Sequence, residues 1–287
     1  MTGKFTGVLL ASDYDNTLLN TEAARAPGAP TAHLSERTKE ALRYFMAEGG
    51  RFALATGRAL ASIEKFAGEI PMNCPAVICN GAALYDFARH TYLDRIFLDE
   101  EAGRRCQALL DGSPTTAVEA YPLENVIHAV RPNRYTKQHE NLTLTSAQVD
   151  ASLLEVPAPL TKLLFEDDHA VLLDLEARLL AQPWIDGCEV FFSAPTLLEL
   201  TKKGANKGGM VRRLAERLGI SFDHVYCAGD EANDLSMLAF AAEGFAPANC
   251  SQKVRESGAT IVSDCDHDTV AEVIEILDRR YGRPSDA

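Results

Sequence analysis

Two aspartates one residue apart, Asp13 and Asp15, stand directly after a short apolar run, Gly7 to Ser12, in the stretch Asp13-Tyr14-Asp15-Asn16-Thr17-Leu18. In an extended loop, residues two apart point the same way, so both carboxylates can share one small space. Close carboxylates repel unless a cation or a proton intervenes. Magnesium suits such a pair, because it takes oxygen ligands and accepts another from a phosphate group. One carboxylate can then attack phosphorus while the other moves a proton, which splits hydrolysis into two easier steps. Taken alone, D-x-D is also the pattern of a solvated acidic turn.

Three further pieces have similar chemistry. Thr56-Gly57-Arg58 follows the apolar run ending at Ala55. A threonine hydroxyl and the amides of a helix start can hold phosphate oxygens there, although Thr-Gly is also ordinary turn chemistry. Lys207 stands near the start of a helix after Gly204-Ala205-Asn206 and supplies a point charge for phosphate, with a surface lysine as the plain alternative. The P-loop spacing is absent from this stretch. Gly229-Asp230-Glu231-Ala232-Asn233-Asp234 follows another apolar run, Val225 to Ala228. Asp230 there is a direct metal ligand, with Asn233 and Asp234 behind it; the same residues would also cap a helix.

These pieces need a scaffold that delivers them to one edge. Apolar runs Gly7–Ser12, Arg51–Ala55, Pro75–Cys79, Val225–Ala228 and Ala259–Val262 read as buried strands. Helical patterns lie between them, from Glu36 to Glu48, from Met210 to Leu218, from Leu235 and from Val270. Alternating strands and helices predict an α/β fold with a Rossmann-like parallel sheet covered on both faces. All four motifs then lie at the carboxyl ends of strands, where open α/β sheets bind ligands. The middle of the chain breaks this rhythm. It reads as an inserted α/β unit over about residues 86–190, interrupting a core made of 1–85 and 191–287. Inside it, helices are expected near Glu100–Leu110 and His169–Leu180. Strands are expected near Val118–Tyr121, Val126–Val130, Lys162–Phe165 and Glu189–Phe192, while Arg131 to Asp150 is polar and poorly periodic.

Composition narrows the partners. The 287 residues are 46% apolar, with a formal net charge of −13. Such acidity repels nucleic acid and also repels a phosphorylated small molecule at long range, so a phosphate site must be made locally by a metal ion and a few placed cations. No run approaches the ~18 apolar residues of a membrane span, and the amino-terminal run is too short for a signal peptide. The seven cysteines are scattered and form no C-x-x-C pair. A cytoplasmic protein is expected, without a membrane partner; oligomeric state is not readable.

In this order the motifs resemble the haloacid dehalogenase superfamily of phosphohydrolases, most nearly its Cof-like, sugar-phosphatase-type group. The resemblance spans the chain. It implies that Asp13 is the nucleophile and Asp15 the general acid/base. Thr56 is the phosphate-binding residue, and Lys207 steadies the aspartyl-phosphate. Asp13, Asp15 and Asp230 would hold Mg2+, supported by Asp234. Gly57, Arg58, Asn80 and Asn233 would face the substrate. Asn80-Gly81-Ala82, and Ser193-x-Pro195 with Leu198-Glu199-Leu200, look like further marks of the group. The insertion looks like its larger α/β cap. Asn16 departs from the usual glycine, and Tyr14 from the usual aliphatic residue or Phe. Asn is the non-glycine residue that best tolerates a left-handed turn, so the loop should survive. Tyr14 is expected to pack.

The leading expectation is a magnesium-dependent phosphomonoesterase acting on a small phosphorylated metabolite. A phosphomutase would use the same residues and differ only in the acceptor. A non-catalytic binding or regulatory protein is the third reading, although such copies usually lose an acid or the lysine. Arg131, Arg134, His128 and His139 are the polar candidates for substrate contact in the insertion, and each is equally a solvated residue.

Overall fold

A computed structural model describes residues 3–22, 32–123 and 126–282. Five strands make the central sheet: β1 (Leu9–Ser12), β2 (Arg51–Leu54), β12 (Val225–Ala228), β13 (Glu243–Pro247) and β14 (Thr260–Val262), in the order β14-β13-β12-β1-β2. Every pairing is parallel. β1 sits between β2 and β12 and is buried throughout. Its alternate residues feed two cores. Leu10 packs with Phe45, Phe52 and Leu277 under α1 (Glu36–Ala47) and α9 (Thr269–Tyr281). Leu9 and Ala11 pack with Met210, Val211 and Leu214 of α6 (Lys207–Leu218) on the other face. Full burial of each such large aliphatic side chain is worth about 1.5–3 kcal/mol, so the sheet is held from both sides. Ser35 caps α1 by accepting the Thr38 N–H, as its place before the helix predicts.

Beyond β2 lies an antiparallel sheet of β3 (Ala76–Ile78), β4 (Ala83–Asp86) and β5 (Thr91–Arg95). A single parallel bridge between Ala55 and Val77 joins it to β2. A third sheet has six strands in the order β10-β11-β9-β6-β7-β8. These are β6 (Ala117–Pro122), β7 (His128–Val130), β8 (Gln148–Asp150), β9 (Leu160–Glu166), β10 (Cys188–Ala194) and β11 (Leu197–Lys202). On one face its core includes Val118, Leu163, Phe165 and Leu200, covered by α3 (Ala102–Leu110) and α5 (His169–Leu180). The opposite face carries α4 (Arg134–Thr143), described below. This sheet is the α/β cap of the fold.

The expected limits at 86 and 190 both cut strands. Residue 86 ends β4, which pairs on to β5 as far as Arg95, and 190 falls inside β10. Antiparallel pairing of β10 with β11 and of β11 with β9 carries the cap sheet to Lys202. The outermost residues of the expected core, 1–2 and 283–287, lie outside the described residues. The polar stretch Arg131–Asp150 is also ordered, as α4 and β8. Only Thr136 and Thr143 of α4 are buried, so no apolar stripe marks it as a helix. Asn133 holds its start: the side chain accepts from Tyr135 N–H and Thr136 N–H and donates to the carbonyls of Thr115 and Glu166. Among the described residues, no helix is long and apolar enough to cross a membrane.

Candidate active site

Three core loops meet at the carboxyl edge of the central sheet. Asp13 leaves β1 with its N–H bonded to Ala228 O at 2.9 Å, which ties the first loop to β12. Asn16 turns this loop at φ 57°, a left-handed conformation that asparagine accepts with little cost. Lys207 opens α6, and its Nζ lies 2.5 Å from Asp13 Oδ1 and 2.6 Å from Asp234 Oδ1. Two close approaches make this bridge possible. A Cβ on Gly208 would lie 2.2 Å from Ser236 O, so only glycine lets α6 settle against the helix Leu235–Phe240 that follows the third loop. A Cβ on Gly229 would meet Asp234 Cβ at 2.4 Å, so glycine there lets Asp234 tuck beneath β12.

Asp13, Asp230 and Asp234 offer oxygens that all lie within 4.8 Å of one another, and all three residues are buried. Thr17 donates to Asp230 Oδ1 at 3.0 Å. Asp234 is spent on the protein itself: Oδ1 takes Lys207, and Oδ2 takes the N–H groups of Asp230 and Glu231 at 2.9 and 3.0 Å. The second oxygens of Asp13 and Asp230 accept no hydrogen bond from the described residues. Three carboxylates around one ammonium leave negative charge in excess. Burial therefore pushes the Asp13 carboxyl up to about 7, against the pull of Lys207 and with further push from Asp234 and Asp15. Burial, then the charges of Asp13 and Asp234, raise Asp230 well above the usual carboxylate range. Lys207 is raised as well, because the two aspartates outweigh its own desolvation. A buried all-oxygen donor set short of positive charge fits a hard divalent cation such as Mg2+.

Asp15 stands apart from this group. Arg58 grips it with two bonds, Nε to Oδ2 at 2.9 Å and Nη2 to Oδ1 at 2.7 Å, and Thr21 donates to Oδ1 at 2.7 Å. Burial alone would raise the Asp15 carboxyl, but the charge and hydrogen bonds of Arg58 hold it below its ordinary value. The Asp15 side chain, expected among the metal ligands, is thus turned to Arg58, and Asp234 stands in the acidic group instead. Arg58, expected to face substrate, lies over the rings of Tyr14 at 5.0 Å and Phe66 at 5.1 Å. Tyr14 is buried and packs.

Thr56 is fully buried after β2, and its hydroxyl accepts the Arg58 N–H at 3.1 Å. Asn233 donates to Asn80 Oδ1 at 2.9 Å, joining the loop after β12 to the turn after β3. Asn80 Nδ2 and Asn233 Oδ1 are buried with no hydrogen-bond partner. A Cβ on Gly57 would crowd Asn80 Nδ2 at 2.9 Å, so Gly57, Asn80 and Asn233 form one packed group. Unpaired buried amide groups cost about 1–3 kcal/mol each, a cost that a ligand hydrogen bond removes.

The cap touches this centre directly. Lys162 of β9 donates to Gly57 O at 3.1 Å and pairs with buried Glu199 at 3.0 Å. Arg58 Nη1 reaches Leu142 O at 3.4 Å, and Lys65 donates to Leu144 O. Sequence reading assigned no site role to Lys162, Thr17 or Thr21, and marked Glu199 only as part of the resemblance at Leu198-Glu199-Leu200. Lys162 and Glu166 were findable as charges inside an otherwise apolar strand. Of the polar cap residues singled out, Arg131 pairs with Asp111 and Arg134 with Asp168 in solvent, while His128 pairs with Asp150. His139 faces Glu119 and Glu166, the two fully buried glutamates on the α4 side of the cap sheet.

The model of haloacid dehalogenase-like hydrolases matches residues 10–274. The chain belongs to that family, and with it to the phosphohydrolases. A phosphatase from Cronobacter sakazakii that acts on HMP-PP is 24% identical over 274 residues, covering 92% of this chain and 93% of its own. The pyridoxal phosphate phosphatase YbhA of Escherichia coli is 24% identical over 275 residues, covering 93% and 97%. Among solved structures, a haloacid dehalogenase-like hydrolase from Bacteroides thetaiotaomicron is 25% identical with a TM-score of 0.78, covering 94% of this chain and 99% of that one. A subclass IIB sugar phosphatase shares the fold at a TM-score of 0.79 and 20% identity, covering 94% and 98%.

Proposed function

We propose that the protein is a magnesium-dependent phosphomonoesterase that hydrolyses a small phosphorylated metabolite, a sugar phosphate first, through an aspartyl-phosphate on Asp13. The observation that carries this reading is the buried Lys207 ammonium bridging Asp13 and Asp234 beside Asp230. It supports a phosphate site in a chain whose net charge would otherwise repel one. With Lys207 fixed on Oδ1, the free oxygen of Asp13 is the one left to attack phosphorus. Asp15 gives a proton to the leaving oxygen and then takes one from the attacking water. Lys207, the Thr56 hydroxyl and the Asn80–Asn233 amides hold the transferring group. Asp230, together with the Asp13 oxygen that does not attack, would hold Mg2+, which when bound would neutralise the charge that carboxylates and phosphate bring together.

Arg58 is the positioning residue for Asp15. Because Arg58 also touches the cap at Leu142, cap placement and the aim of the Asp15 proton are linked through one side chain. The cap contacts at Gly57, Arg58 and Lys65 support a lid that excludes water and meets the leaving group. All seven cysteines are free thiols, which fits a reducing, cytoplasmic setting. The test is release of inorganic phosphate from a panel of phosphorylated sugars, nucleotides and cofactors, with Mg2+ and with EDTA. Magnesium-dependent release from at least one class is expected. Isomerised phosphate ester without free phosphate would favour the mutase reading, and no turnover of any class would count against an enzyme.

A further inference from the structure

The cap holds a second group of ligating side chains that phosphate chemistry does not use. Glu119 on β6, Glu166 on β9 and His139 on α4 bring a carboxylate oxygen, a carboxylate oxygen and Nδ1 within 4.8 Å of one another. Both glutamates are 0% exposed, and the His139 side chain is 13% exposed. Neither oxygen of Glu166 accepts a hydrogen bond, and Glu119 Oε1 has no partner either. Two buried carboxylates, with three oxygens unpartnered between them, thus share their space with one imidazole nitrogen. Leaving such groups unpaired is costly, and buried charges are usually paired or coordinate metals.

The nearby cations do not balance both acids, since a protonated His139 would bring one charge to two carboxylates. Lys162, on the same face of β9, is committed to Glu199 and to Gly57 O. His139 Nδ1 lies 3.0 Å from Glu119 Oε2 and 3.6 Å from Glu166 Oε1. A tetrahedral ion about 2.0–2.2 Å from each ligand separates neighbouring ligand atoms by roughly 3.4 Å. The two observed spacings straddle that value. Tyr121 donates its hydroxyl to Glu119 Oε2, the kind of outer contact that orients a ligating carboxylate. Asn133 ties the start of α4 to the backbone of Glu166, so the helix that carries His139 is fixed to the strand that carries the acid.

We propose that Glu119, His139 and Glu166 form a structural site for a zinc-class divalent cation, which pins α4 onto the cap sheet and leaves a fourth position for water. The imidazole separates this site from the catalytic centre. The all-oxygen group at Asp13 and Asp230 suits Mg2+, whereas nitrogen with carboxylates suits Zn2+ or Co2+. The site explains why a helix with almost no apolar face is laid against two buried acids.

The experiment strips the full-length protein with a chelator, dialyses it against Zn2+ in excess Mg2+, and counts bound metal by mass spectrometry. Wild type and Asp230→Asn are expected to retain one zinc per chain. Glu166→Gln and His139→Ala should bind at least about tenfold more weakly, and zinc should raise the melting temperature of wild type but not of Glu166→Gln. Co2+ in place of zinc should give a visible absorption band that disappears in His139→Ala. Glu166→Gln keeps shape and removes charge, so it reports even if His139→Ala fails to fold. No retained zinc would overturn the proposal and leave a proton on Glu166 as the resolution. So would zinc lost in Asp230→Asn but kept in Glu166→Gln.

Discussion

Replacing Asp13 with Asn should stop catalysis and, without metal, stabilise the fold. Asp13 is pushed from its ordinary 3.8 to about 7 by burial among other acids. Between those two values the folded chain holds a proton that the unfolded chain has released. Wild-type stability therefore falls as pH rises from about 4 to about 7 and is flat above. At 1.36 kcal/mol per pH unit, that span costs the metal-free fold about 4 kcal/mol. Asn carries no charge to desolvate, and the bond to Lys207 is already counted, because Lys207 pulls the Asp13 value down. Asp13→Asn is therefore favoured by up to about 4 kcal/mol without metal at high pH, a rise of roughly ten degrees in Tm. Thermal melts in EDTA at about pH 5 and about pH 8 give the check. The variant should melt above wild type at the higher pH and lose more than half of that advantage at the lower. Magnesium should raise wild type more than the variant, since ligand at a hundred times its Kd adds about 2.7 kcal/mol. Phosphate release by Asp13→Asn should fall by about four or more orders of magnitude. A variant that melts below wild type by the same amount at both pH values would refute the charge argument.

Lys207→Met leaves buried carboxylates without their cation, so the metal-free protein should lose about 3–5 kcal/mol in denaturant titration, and kcat should drop about 10²–10³-fold with Mg2+ present. Arg58→Ala frees Asp15 from the cation that holds its carboxyl low, so the limb of the kcat/KM profile that reports Asp15 should move to higher pH. Arg58→Lys should restore the limb only in part, because a single ammonium cannot make the two-pronged contact. Lys162→Met strands Glu199 in the cap and cuts the tie to Gly57; KM measured across the responsive substrates should rise more than kcat falls. Chelation of magnesium should abolish phosphate release, and adding Mg2+ back should restore it.

Much of the core was legible because buried parallel strands are short apolar runs with nothing else to be. β12 was expected at Val225–Ala228 and is found there, and helix α5 was expected at His169–Leu180 and is found there. β13 carries Glu243, Gly244 and Pro247 and so lacked the apolar signal, though it pairs on both sides in the sheet. In the cap, α4 was invisible because its stability rests on the Asn133 cap, on buried Thr136 and Thr143 and on the partly buried His139, not on an apolar stripe. The site residues were legible as types that follow strands. Their pairings were not, because whether Asp15 meets a metal or an arginine depends on where Arg58 points after a turn. Lys162 and Glu199 lie 37 residues apart and meet only through strand register.

The central claim is that Asp13 carries the phosphoryl group in turnover. Acid-quenching the enzyme during steady-state hydrolysis of a responsive substrate, followed by borohydride reduction and peptide mass spectrometry, tests it directly. A reduced acyl-phosphate at Asp13, absent without substrate and absent in Asp13→Asn, is the predicted result. Full turnover with Asp13 unmodified at every quench time, or phosphate on another residue, would contradict it.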